Sequence, residues 1–160
     1  MLPEEIAPTV ERFFTSYREA FERGDTSALA EHFGESVHVA SDTGSGVRLE
    51  LATGAEWRAT IERLVALYRT LSVGQAVPGS FEVAAVSERL AQASVRWALS
   101  DRAGRALYEF AALYTLIHDG ARWRIVAIAH DEVAQSRRLL ARPARPTNDG
   151  REDRGARDAG

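Results

Sequence analysis

Three of the four histidines in this 160-residue chain are the side chains best suited to moving protons near neutral pH. His32 falls on the inward stripe of a short helix with Leu29 and Phe33. There it serves either as an acid or base, or as a structural imidazole bonded to a backbone carbonyl. His130 shares an alternating strand face with Val126 and Ile128, and Asp131 follows it. His38 alternates away from Val37 and Val39 and is expected at the surface. A metal held by His32 and His130 would need a third ligand. No His-x-His or His-x-x-x-His spacing supplies one, so no metal is expected. The chain has no cysteine, which excludes disulfides, thiol nucleophiles and thiolate metal sites. Every cationic residue is arginine, so Schiff-base and P-loop lysine chemistry is excluded too. No cofactor is expected.

The elements that must position these groups follow from periodicity. Glu11 to Arg23 is the first helix, because Val10, Phe13, Phe14, Tyr17 and Phe21 recur at three- and four-residue steps; Gly24 ends it. Asp25-Thr26-Ser27 caps a shorter second helix to about Phe33, and Glu35 to Ser41 alternates as a strand. Val47 to Leu51 adds another short strand. Thr53 with Glu56 forms a capping box for a third helix whose inner stripe is Trp57, Ile61, Leu64, Val65, Tyr68 and Leu71. Gln75 to Ser80, containing Pro78-Gly79, is expected to turn. From Phe81 the period becomes two, through Val86, through Leu90 to Leu99, and through a hairpin from Leu107 to Asp131 that reverses at Asp119-Gly120. Helix continues to about Leu140, and Pro143 to Gly160 holds almost nothing to bury, so a disordered tail is expected. The domain is placed at residues 1–136, with 137–160 as an extension and tail.

Composition fits one domain with room for a core, at 45% hydrophobic and 27% charged residues. A net charge of -3 gives no basic footprint, so no nucleic acid is expected. No apolar run reaches the ~20 residues that span a bilayer, and the first residues lack a signal-peptide pattern, so the expectation is a cytoplasmic protein with no membrane partner. Helices followed by a strand meander give an α+β fold: three N-terminal helices packed on the concave face of a strongly curved antiparallel sheet, a cone-shaped α+β barrel. The last hairpin is apolar on both faces. Leu113 and Ile125 are therefore assigned to the convex face, with a homodimer partner as their cover.

Phe14-x-x-Tyr17, Ala20-Phe21-Glu22-Arg23-Gly24-Asp25, Leu29, Phe33 and Asp119-Gly120-x-x-Trp123-Arg124-Ile125 stand in an order and spacing that resembles the nuclear transport factor 2-like superfamily, over about Pro8 to Val133. That superfamily includes ketosteroid isomerases, polyketide cyclases, limonene epoxide hydrolase and scytalone dehydratase. The resemblance implies a dimer and a deep apolar pocket between helices and sheet. It also implies a role for Tyr17, which lies where ketosteroid isomerases place the phenol that donates to a developing enolate oxygen. The alternative for Tyr17 is membership of a core stripe, with its hydroxyl bonded to a neighbour. Laid against the isomerases, the two catalytic aspartates fall at Ser41 and near Ala112, which carry no carboxylate. The Asp-Arg-Asp set of the epoxide hydrolase has only Arg96, Asp101 and Arg124 to draw on, and these fit solvated positions.

Three functions stay open. The first is a dimeric pocket protein for a small, largely apolar molecule, lined by Phe14, Trp57, Ile61, Trp97, Phe110, Tyr114 and Ile128. The second is a cofactor-free isomerase, cyclase or dehydratase using His32 or His130 with Tyr17. The third is a non-catalytic association module with a filled interior.

Overall fold

A computed structural model describes residues 2–142. Helix α1 (Pro3–Arg23) buries Ile6, Val10, Phe14, Tyr17 and Ala20, one stripe at helical spacing. Gly24 stops it at φ 63°, a left-handed angle that suits glycine, and Asp25 N–H closes the cap on Ala20 O at 3.0 Å. Asp25 then accepts from Ala28 N–H at 3.0 Å and starts α2 (Thr26–Ala30), which is only five residues long. Phe33 opens strand β1 (Phe33–Asp42) instead of ending that helix. Strand β2 (Val47–Thr53) leads into α3 (Gly54–Thr70), which carries the expected Thr53/Glu56 capping box. Strands β3 (Val73–Ser87), β4 (Leu90–Asp101), β5 (Ala106–His118) and β6 (Trp123–His130) form the meander, and α4 (Glu132–Leu140) closes the described chain. Residues 143–160, for which a disordered tail was expected, lie outside the described residues.

The six strands make one curved, unclosed sheet in the order β2-β1-β6-β5-β4-β3. The fold is α+β as expected, but the sheet is mixed. β1 runs parallel to β6, because the chain leaves α2 beside Ile125 and enters the sheet there; all other neighbours are antiparallel. Residues 75–80 do not turn. They are strand, and Pro78 is tolerated because β3 is an edge with only β4 beside it. A bulge at Val126 sets the phase of β6: Leu116 pairs with Ile125 and Thr115 with Ala127, so one residue of β6 is skipped. That extra residue turns Ile125 inward, where it is fully buried, and not to the convex face to which alternation assigned it. Leu113 does lie outside and is 43% exposed. Among the described residues no helix is long and apolar enough to cross a membrane.

Candidate functional site

The concave face and the helices line a partly open cavity of about 340 Å³. Its aromatic wall comes from α1 (Tyr17, Phe21), β1 (Phe33), α3 (Trp57, Tyr68), β4 (Trp97) and β5 (Phe110, Tyr114); Ile61 and Ile128 add aliphatic surface. Charged and polar groups share the lining, among them Arg18, Arg48, Glu50, Arg63, Ser41, His130 and Glu132.

Glu132 is the group that the sequence reading missed. It opens α4, where an acid normally serves the helix end from solvent. Here it is 7% exposed and points into the cavity's end. Tyr68 of α3 donates to its Oε2 at 2.6 Å and Tyr108 of β5 donates to the same oxygen at 3.3 Å. Among the described residues none donates to Oε1. Burial pushes the carboxyl up to about 7 from an ordinary 4.5, with a further rise from the Asp131 charge, while the two phenol bonds hold it back. At neutral pH both forms are therefore populated. The sequence offered one faint signal, that Glu132 and Ser136 share a helical face which only an inward-facing α4 would bury.

His130 lines the same cavity. Register decides this, because Ser41 of β1, His130 of β6 and Ala112 of β5 lie in one row across three strands. The N–H of Glu132 donates to its Nδ1 at 3.2 Å, so the neutral ring carries its hydrogen on Nε2, which stands 3.2 Å from Ser41 Oγ. Burial lowers its pKa, and the Arg48 charge acts the same way. The ring is therefore a neutral donor with no lone pair left for a ligand.

His32 is held elsewhere. Its Nδ1 donates to Ala28 O at 2.7 Å, its Nε2 faces Ser16 Oγ at 3.0 Å, and it is not among the residues that line the cavity. His32 follows the end of α2, and both ring nitrogens have partners where they are. Phe14 also lies behind the wall: it is buried, and packs on Tyr114 at a centroid distance of 4.8 Å and on Phe81 at 5.4 Å. His38 is exposed on the convex side.

Tyr17 is 7% exposed, faces the cavity and stands beside Tyr114, with ring centroids 6.1 Å apart. Burial first, and that neighbour next, hold its hydroxyl well above the ordinary phenol value. Trp97 Nε1 donates to Tyr114 Oη at 2.9 Å. Neither phenolic hydrogen has an acceptor within hydrogen-bond distance among the described residues. A phenolic O–H is thus left over on the cavity wall. Arg96, Asp101 and Arg124 do not line it; each pairs with a neighbour on the outside, Glu109, Arg105 and Asp119 respectively. Among the described residues no three His, Asp or Glu side chains converge as a metal ion would need.

A family model described as NTF2-like protein (DUF6841) matches residues 4–133. The chain belongs to this NTF2-like family. No curated protein matches it in sequence. Among solved structures, this NTF2-like chain is similar to an NTF2-like protein of unknown function from Shewanella oneidensis, at 19% identity over 78% of this chain and 97% of that one, with a TM-score of 0.60. It is similar to a provisionally named dehydratase of the NTF2-like family from Streptomyces avermitilis, at 14% identity, 81% and 97% coverage and a TM-score of 0.62. A provisionally named calcium/calmodulin-dependent protein kinase II association domain from Xanthomonas campestris matches at 15% identity, 76% and 84% coverage and a TM-score of 0.56. Relatives so different in their names share the fold alone, and function must be argued from the site.

Proposed function

We propose that this NTF2-like protein binds a small, largely apolar, carbonyl-bearing molecule in the cavity and carries out cofactor-free acid–base chemistry on it, of the isomerase, cyclase or dehydratase kind. One observation carries the reading: a buried carboxyl that titrates at about 7, with one oxygen unbonded, lies in the same cavity as a phenolic hydrogen with no acceptor. Glu132 takes the part of proton-transfer group. Its Oε1 removes a proton from the carbon beside the carbonyl, the C–H electron pair forms the C=C bond of an enolate, and the carbonyl π pair moves to the oxygen. A phenolic hydrogen of the Tyr17–Tyr114 pair holds that oxygen, and Glu132 returns the proton to the substrate. Tyr68 and Tyr108 stabilise the carboxylate before the first transfer and after the second. His130 positions Glu132 through its backbone N–H and is not the base.

A homodimer through the convex face belongs to the same proposal. Leu49 and Leu51 of β2 are 77% and 57% exposed, and with Leu113 they flank the small residues Ala40 and Ala129. An apolar strip of that kind on a sheet calls for a cover.

The test of the chemistry is deuterium exchange at the activated carbon of 2-tetralone, followed by NMR in D2O near neutral pH. The protein is expected to speed exchange over buffer, and Glu132→Gln to cut that acceleration by at least ~100-fold, the usual scale for a lost general base. A Glu132→Gln rate equal to wild type removes Glu132 from the mechanism. Tetralone that binds by calorimetry without any acceleration leaves binding and removes catalysis.

A further inference from the structure

Two nitrogen donors on the helical wall of the cavity are buried and make no hydrogen bond: Nε of Arg18 on α1 and Nε1 of Trp57 on α3. The other two arginines of the lining have no buried unpartnered nitrogen among the described residues. Arg48 lies 3.6 Å from the Glu50 carboxylate, and Arg63 donates to Thr60 Oγ1 at 3.0 Å. For Arg18 the near carboxylate is Glu22, whose Oε1 stands 3.9 Å from Nε, beyond hydrogen-bond reach. That same oxygen is already taken by the Ala76 N–H at 3.1 Å, the contact that ties α1 to β3. That oxygen of Glu22 thus serves the sheet, and Arg18, whose side chain is 32% exposed, keeps one buried N–H, at Nε, without an acceptor on the cavity wall. A buried N–H of a cation that gives up water and gains no acceptor is costly, more so than a neutral group.

We propose that the cavity takes an apolar carboxylic acid, with its carboxylate seated on the Arg18 guanidinium and its body against the aromatic wall. A carboxylate matches the planar fork of arginine in geometry and in charge. Trp57 Nε1 supplies a further donor to oxygen on the ligand. Its ring meets Phe33 edge to face at 4.9 Å, which fixes where that N–H stands. This inference rests on the binding reading above and deepens it by naming the anionic group that the ligand carries.

The test compares 2-naphthoate with the neutral 2-naphthamide, two probes of nearly the same shape, by isothermal titration calorimetry. Wild type is expected to bind the naphthoate at least tenfold more tightly. Arg18→Met, which keeps the aliphatic length and removes the charge, is expected to bring the affinity ratio close to one, and Arg18→Lys to restore part of the preference. Circular dichroism and the melting temperature check that each variant is folded. Trp57→Phe is expected to weaken the naphthoate several-fold. Equal binding of the two probes by wild type overturns the carboxylate seat and leaves the binding reading standing; it is also the result expected if a trapped water satisfies Arg18. A preference that survives in Arg18→Met overturns the assignment to Arg18. Binding of neither probe overturns this inference and the binding reading together.

Discussion

Replacing Glu132 by glutamine tests the buried carboxyl without need of a ligand. In the folded protein the group titrates at about 7, in an unfolded chain near its ordinary 4.5. Below pH 4.5 it is protonated in both states and contributes no pH dependence. Between 4.5 and about 7 the unfolded chain releases the proton while the folded protein keeps it, so stability falls as pH rises, and above about 7 the full cost is present. At about 1.36 kcal/mol for each pH unit, the cost is about 3 kcal/mol. Glutamine keeps an oxygen for the Tyr68 and Tyr108 hydroxyls and cannot ionise. Any packing difference it introduces is the same at every pH, and cancels when two pH values are compared. Urea unfolding followed by circular dichroism at pH 4 and pH 8 should therefore show Glu132→Gln gaining about 3 kcal/mol on wild type between the two. The corresponding relative rise in melting temperature is about 10 °C for a domain of this size. The lowered pKa of His130 acts in the opposite sense, since stability is lost as pH falls below 6.5; it is present in both proteins and drops out of the difference. A difference between the two proteins that stays constant from pH 4 to pH 8, within about 0.5 kcal/mol, would mean that Glu132 ionises as freely as a surface acid. The proton-transfer role would go with it.

His32→Ala removes the bonds to Ala28 O and Ser16 Oγ and is expected to cost about 1–3 kcal/mol in urea unfolding, while affinity for 2-naphthamide stays within twofold; a tenfold loss of affinity would put the imidazole in the binding site after all. Gly74→Ala places a Cβ 2.9 Å from the Arg102 Cα and 3.0 Å from its N, both backbone atoms with little room to shift, so a loss of about 1–3 kcal/mol is expected. Unchanged stability there would show that the β3–β4 edge relaxes freely. For the convex face, light scattering at micromolar concentration should give a dimer for wild type and a monomer for Leu49→Glu combined with Leu113→Glu. A wild-type monomer counts against the dimer altogether.

Much of the scaffold was legible in the residues themselves because its causes are local. The stripe from Val10 to Phe21, the stop at Gly24, the Thr53/Glu56 box and the Asp119-Gly120 reversal are each set within a few residues of chain, so spacing alone reveals them. Strand 75–80 was hidden because Pro78 signals a break unless the strand is an edge, and edge position is a property of the whole sheet.

The site was decided at longer range. Glu132 reads as an ordinary acid at a helix start, and becomes a buried group titrating near 7 only because Tyr68, 64 positions away, and Tyr108 close over it. His130 and Ser41 meet across 89 positions through the parallel register of β1 and β6, which alternation in either strand cannot specify. One skipped residue at Val126 reverses the face of Ile125, since a period of two carries no memory across a bulge. Residue types and spacing therefore determined which elements form and which faces are apolar. Which polar groups lose water, and so which can change their proton affinity, was decided by packing between elements far apart in the chain, because desolvation depends on everything that surrounds a group and not on its neighbours in sequence.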